Sequence, residues 1–232
     1  MLKINNVPCG YQHLFDKKIV FILLHKLIDN KKYQDFYMDS NNKFDLIILD
    51  NSAFELGESL DKKLLMEWAH KLKKRHPESM IEVIIPDVYG DKEKTLELMK
   101  DFLKMDTSGF NLMAIPQGKN ELELIACLNE ILKEPRIKCI GLNKLWDKSL
   151  LEKIVKPIIE RGRSIHRLGV KDLSDWVLFN SKLIRSTDSR ILSKIVTGND
   201  GTNQNDDLWE CSLSESQIEI LRNLINEVDV WQ

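Results

Sequence analysis

No stretch of this 232-residue chain approaches the roughly 20 consecutive apolar residues that a membrane-spanning helix needs. The first residues, MLKINNVPCGYQHLFDKK, lack the order of charged and apolar regions that marks a secretory signal. The expectation is a soluble, cytoplasmic protein with no membrane partner. The four cysteines, Cys9, Cys127, Cys139 and Cys211, are far apart and form no C-x-x-C pair, which argues against a disulfide framework or a sequence-local zinc site. Cys127 and Cys139 lie in apolar contexts and read as packing thiols. No strong charge of one sign is present, since the formal net charge is −2. Whole-molecule attraction to nucleic acid is therefore excluded, and any such contact must come from local basic clusters. Glycine-rich phosphate loops of the G-x-G-x-x-G or Walker type are missing, and so is H-E-x-x-H. Neither a metal nor a cofactor is called for.

Short apolar runs recur along the chain: Lys18-IVFILL-His25, Asp45-LIILD-Asn51, Glu82-VIIPD-Val88, Asn111-LMAIPQG-Lys119, Ile137-KCIGLN, Ser164-IHRLGV and Lys182-LIRSTD. Continuous Ile, Leu and Val without polar alternation is the pattern of parallel strands covered on both faces. Amphipathic helical patterns lie between them. One begins at Leu60, with apolar Leu64, Leu65, Trp68, Ala69 and Leu72 on one face; others begin at Asp91, Asn120 and Ser149. In the last of these, Pro157 predicts a break or kink, and Gly162 a C-cap. Gly169-VKDLSDWVLFN reads as a further helix. The Gly/Asn/Asp-rich stretch near 196–208 reads as a mobile loop, and S-x-x-Q at Ser214 opens a final helix over 214–228. The alternation predicts one α/β domain over 1–232. With about seven strands, a TIM-like (β/α) barrel, minimal or irregular, is favoured over an open sheet.

Polar residues stand at the ends of the apolar runs: Asp50-Asn51-Ser52, Asp87, Gln117-Gly118, Asn143, His166 and Asp188. Strand ends of a (β/α) barrel open on the face that builds the active site. A helix-capping role explains one or two such residues but explains Asp50 poorly, because Ser52-AFELG intervenes before the next long helix. His166, on a strand, reads as a satisfied core residue. Gly118 and Gly141 fit close approach of a flat ligand to the backbone. Separated carboxylates allow one to attack an electrophilic carbon and another to move a proton. A carboxylate beside an amide can read a purine edge, accepting from N1–H and the 2-amino group while the amide donates to O6, which suits guanine. The Lys71, Lys73, Lys74 and Arg75 cluster reads as a solvated face. Arg163, Arg167, Arg185 and Arg190 are candidate phosphate contacts.

The ordered series LDNSAFELG, IPD, AIPQG, IGLN, HRLGV and RSTDSR resembles the barrel of the tRNA-guanine transglycosylases, and most of all their short DNA-modifying phage relatives, over residues 18 to 195. The Cys/His zinc subdomain of the tRNA members is absent, and Ser52 and Ala53 stand where that family's first motif has glycines. The resemblance implies a pentosyltransferase that replaces guanine in DNA, in preference to tRNA, by a 7-deazaguanine-type base. It implies Asp188 as nucleophile, Asp50 as general acid/base, and Asp87, Gln117, Gly118, Gly141 and Leu142 around the base. Phe54 or Tyr89 would stack on a flipped base. Two other readings stand beside this one: an N-glycosidic bond hydrolase, and a non-catalytic binder of nucleic acid or modified base, as a homodimer or with a partner subunit.

Overall fold

The computed structural model describes residues 2–5, 9–14, 18–143, 148–169, 184–189, 195–196 and 212–230. Its frame is a single sheet of eight strands: β1 (Leu2–Asn5), β2 (Ile19–Leu23), β3 (Leu46–Asp50), β4 (Met80–Ile84), β5 (Asn111–Ala114), β6 (Ile137–Asn143), β7 (Ser164–Leu168) and β8 (Ser186–Ser189). The spatial order is β2-β3-β4-β5-β6-β7-β8-β1, and every neighbouring pair is parallel. Because β1 also packs beside β2, the sheet curls into a nearly closed barrel. The protein is an α/β, TIM-like barrel.

Seven of these strands fall on the apolar runs. The eighth, β1, is the four-residue LKIN, which carries no continuous apolar run, and its partner supplies the order by pairing Ile4 with Asp188. The helices are α1 (Leu24–Asp29), α2 (Lys31–Tyr37), α3 (Ala53–Leu56), α4 (Lys62–Arg75), α5 (Lys92–Phe102), α6 (Glu121–Ile131), α7 (Lys148–Glu160) and α8 (Glu215–Val230). The side chains of Asn30, Asp61, Asp91 and Asn120 accept backbone N–H groups in the first turns of α2, α4, α5 and α6, satisfying donors that a helix start leaves open. In α4 the buried face is Leu65, Met66, Trp68, Ala69 and Leu72.

Of the break or kink expected at Pro157 the structure shows no break, and two helices appear that the sequence did not mark. Pro157 does not end its helix: α7 runs through it to Glu160, and the chain turns at Gly162, whose φ of 67° suits glycine. Between β2 and β3, where no helix was read, α1 and α2 bury Leu24, Leu27, Tyr33 and Tyr37. The Ser214 capping box forms reciprocally, with Gln217 N–H 3.3 Å from Ser214 Oγ and Ser214 N–H 2.9 Å from Gln217 Oε1. The helix expected from Gly169 to Asn180 and the loop expected near 196–208 fall, apart from Gly169 and Val196, outside the described residues.

Side chains cross the barrel interior at two levels. Phe21 of β2 stacks on His166 of β7, with centroids 5.7 Å apart, although these strands are not neighbours. Nearer the N-terminal ends, Arg185 makes two hydrogen bonds, 2.9 and 2.6 Å, to the fully buried carboxylate of Glu82 on β4. Removing one member of such a pair leaves a buried charge without its counter-ion. Arg185→Ala is accordingly expected to destabilise the fold by roughly 3 kcal/mol or more. Replacing both residues by leucine should recover much of that loss. Urea unfolding of the three proteins measures the difference.

Candidate active site

The C-terminal ends of β3, β4, β5 and β8 bring Asp50, Asp87, Gln117 and Asp188 into one buried polar cluster. Each of the four is at most 7% exposed. Asp50 is the last residue of β3. Its Oδ2 accepts the Ser52 N–H at 2.9 Å, and Asn51 Oδ1 accepts the Ala53 N–H at 2.8 Å, so the chain leaves the strand through two interlocked side-chain turns. Ser52 completes the corner with a φ of 63°; it is the one non-glycine residue with positive φ among the described residues.

Asp87 is held on both oxygens. Asn51 Nδ2 donates to Oδ1 at 2.7 Å, and Gln117 Nε2 donates to Oδ2 at 2.6 Å, short distances in keeping with an ionised acceptor. Gln117 is oriented in turn by the Gly90 N–H on its Oε1 (3.2 Å), and Asn51 by a second bond to the Ile85 carbonyl (2.9 Å). Ser59 brackets the Asp87 backbone, accepting its N–H and donating to its carbonyl. The acid and amide read from sequence as a base-recognising pair are thus in direct contact. Asn51, which was seen only as a neighbour of Asp50, is the clamp on the far side.

Electrostatics ties the acids together. Burial pushes the Asp50 carboxyl well above the usual carboxylate range, and the nearby charges of Glu55, Asp87 and Asp188 push it further, against the Ser52 N–H. Burial likewise raises Asp87 to about 6, although its two amide donors oppose the shift. Asp188 Oδ1 accepts from His166 Nε2 (3.1 Å) and the Gly169 N–H (3.0 Å). His166 was expected to be a satisfied core residue. It is fully buried, yet its ring nitrogen is spent on a proposed site acid. Phe54 on α3 and Tyr89 after β4 are 55% and 56% exposed and flank the acids in sequence, so both are exposed close to the cluster.

Several expected site residues make contacts of a structural kind. A Cβ on Gly118 would come within 2.5 Å of Leu124 N and 2.9 Å of Glu123 C, so the start of α6, not a ligand, demands that glycine. The space over Gly141 is filled by Ile115 and Leu168, at 2.9 and 3.1 Å from a built Cβ, and is not open to a flat ligand. Alternation along β6 turns Leu142 to the face opposite Gly141, into the hydrophobic core. Arg167 shares that opposite face through its pairing with Leu142. It is 2% exposed, and its guanidinium donates to the carbonyls of Leu142 and Asn143. Arg163 stands at the N-terminal end of β7 and donates to the Glu134 carbonyl (3.3 Å). Arg185 is committed to Glu82. These three arginines are structural clamps and not a phosphate-binding surface on the acid-bearing face; Arg190 lies outside the described residues. Cys127 and Cys139 are buried, which raises their thiols to about 11 and about 12, as expected of packing groups. Among the described residues no cluster of three or more His, Cys, Asp or Glu is arranged to hold a metal, and no helix is long and apolar enough to cross a membrane.

No protein-family model matches the chain, and no curated protein matches it. Among solved structures the chain is similar to an HpcH/Hpal aldolase/citrate lyase family protein from Burkholderia cenocepacia J2315. The identity is 10% and the TM-score 0.48, over 81% of this chain and 95% of that one. Likeness at that level says nothing of the chemistry here.

The weakened acidity of Asp87 sets a pH dependence. The folded state binds the proton more tightly than the unfolded chain, so this group's contribution to stability is complete below about pH 4 and is lost as pH rises through about 6. Between pH 5 and 8 the loss should be on the order of 1 kcal/mol. Asp50 acts in the same direction. The fall in urea midpoint over that range should therefore be smaller in Asp87→Asn than in the wild type.

Proposed function

We propose that the protein is a guanine transglycosylase-like enzyme that exchanges guanine in nucleic acid, DNA in preference to tRNA, for a 7-deazaguanine-type base. The observation that carries this reading is that the Asp50 carboxyl feels the charges of both Asp87 and Asp188, while Asp87 is bonded to Gln117: three acids and an amide face one region. The order of motifs along the chain supports it. So does Ser52, whose left-handed backbone occupies the position where the resembled motif carries glycine, the residue that adopts that shape at no steric cost.

The roles follow from the environments. Asp188, oriented by two N–H donors on Oδ1, attacks C1′ of the nucleotide with a carboxylate oxygen. The bond from C1′ to N9 breaks through an oxocarbenium-like transition state, and its electron pair leaves with the base. Asp50, whose surroundings favour the protonated form, gives its proton to the departing guanine, then takes one from the incoming base as that base attacks C1′ and releases Asp188. Asp87 accepts from N1–H and the 2-amino group, and the second N–H of Gln117 reaches O6. A base in duplex must first be flipped out, at a cost of a few kcal/mol, and the exposed rings of Phe54 and Tyr89 offer stacking surfaces for it.

Mass analysis of denatured enzyme after incubation with guanine-containing DNA or tRNA tests the nucleophile. The wild type should retain a covalent nucleic-acid adduct, and Asp188→Ala should lack it. An adduct that survives in the variant, or none in the wild type, overturns the assignment. Release of free guanine without any incoming base would favour the hydrolase.

A further inference from the structure

Of the buried chain of polar groups behind Asp188, the mechanism above uses only the last bond, from His166. It begins at Glu82, whose two oxygens hold Arg185. Arg185 Nε lies 3.2 Å from Ser186 Oγ, Ser186 Oγ lies 2.8 Å from His166 Nδ1, and His166 Nε2 lies 3.1 Å from Asp188 Oδ1. Glu82, Ser186 and His166 are each 0% exposed. A guanidinium only donates, so Ser186 Oγ accepts from Arg185. A carboxylate only accepts, so His166 Nε2 carries the hydrogen that it gives to Asp188. In that tautomer Nδ1 accepts the Ser186 hydroxyl. Phe21, stacked on the imidazole at 13° between planes, blocks rotation of the ring out of this line.

Serine, histidine and aspartate in contact are the residue types of a hydrolytic triad, but the arrangement here differs. The serine is buried in the barrel with Arg185 on it, and the aspartate stands at the strand end. The outward-facing member is the acid.

We infer that His166 is a positioning residue for Asp188, an inference that rests on the nucleophile assignment above. Its Nε2–H, with the Gly169 N–H, holds Oδ1 in place while the other carboxylate oxygen is presented to C1′. When that second oxygen forms the ester bond to C1′, Oδ1 becomes the ester carbonyl and keeps both donors. When the incoming base displaces the ester, the electron pair returns to a carboxylate that is already hydrogen-bonded. The donors thus serve both halves of the exchange without moving.

His166→Phe keeps the ring volume and the stack on Phe21 but removes both nitrogens; His166→Gln returns an N–H close to the position of Nε2. Exchange of labelled guanine into DNA and tRNA is measured for both and for Asp188→Asn, with melting curves confirming folding. The Phe variant should lose roughly 10–100-fold in kcat with KM for nucleic acid changed by less than about 3-fold, and its adduct should form correspondingly slowly. The Gln variant should regain a large part of the loss. Wild-type kcat in the Phe variant, or a loss in both variants with no recovery by Gln, overturns the role of His166 while leaving Asp188 standing. Undiminished exchange in Asp188→Asn, or none in the wild type, defeats the nucleophile assignment and this inference with it.

Discussion

Everything proposed for this molecule depends on the repulsion among carboxylates that the barrel holds together out of water. Asp50, Asp87 and Asp188 occupy one mouth, all nearly buried, and the protein offsets that cost in a different way for each. Asp87 receives two side-chain amides. Asp188 receives an imidazole and a backbone N–H. Asp50 receives, among the described residues, the Ser52 N–H alone and is the acid pushed well above the ordinary range. Unequal compensation makes chemically similar side chains different in function: one suited to carrying a proton, two held as hydrogen-bond acceptors.

The frame that makes this possible is set by the parallel order of the strands. Parallel pairing delivers every strand end to the same face, and the even spacing of β2 to β8 places the acids of β3, β4 and β8 and the amide of β5 around it. The interior below is not apolar throughout. The Glu82–Arg185 pair and the Ser186–His166 step form a polar column that reaches Asp188 from beneath. A buried ionic pair of this kind adds little to net stability, but it anchors the column on which the hydrogen bonds to His166 and Asp188 are built.

Much of the fold was legible because buried parallel strands write themselves as unbroken Ile, Leu and Val runs. The acids were legible because polar residues at the ends of such runs are conspicuous. The losses have physical causes. β1 carries no continuous apolar run, and α1 follows β2 with no intervening loop, so its first residue, Leu24, read as the end of an apolar strand; α2 is only seven residues long. Arg163, Arg167 and Arg185 are indistinguishable in sequence from surface cations; only strand alternation and the position of Glu82 show them turned inward or away. Gly118 and Gly141 fit a ligand as well as they fit the neighbouring α6 backbone or the side chains of Ile115 and Leu168, and the structure chooses the latter. Asn51 and His166 were missed as partners because each acts on an acid more than 20 positions away.

The measurement that bears most directly on the account is calorimetric binding of free purines. Asp87 and Gln117, as arranged, predict that guanine and 7-deazaguanine bind, that hypoxanthine, lacking the 2-amino group, binds at least about 10-fold more weakly, and that adenine does not bind detectably. Equal affinity for all four bases, or tight binding of adenine, would contradict it.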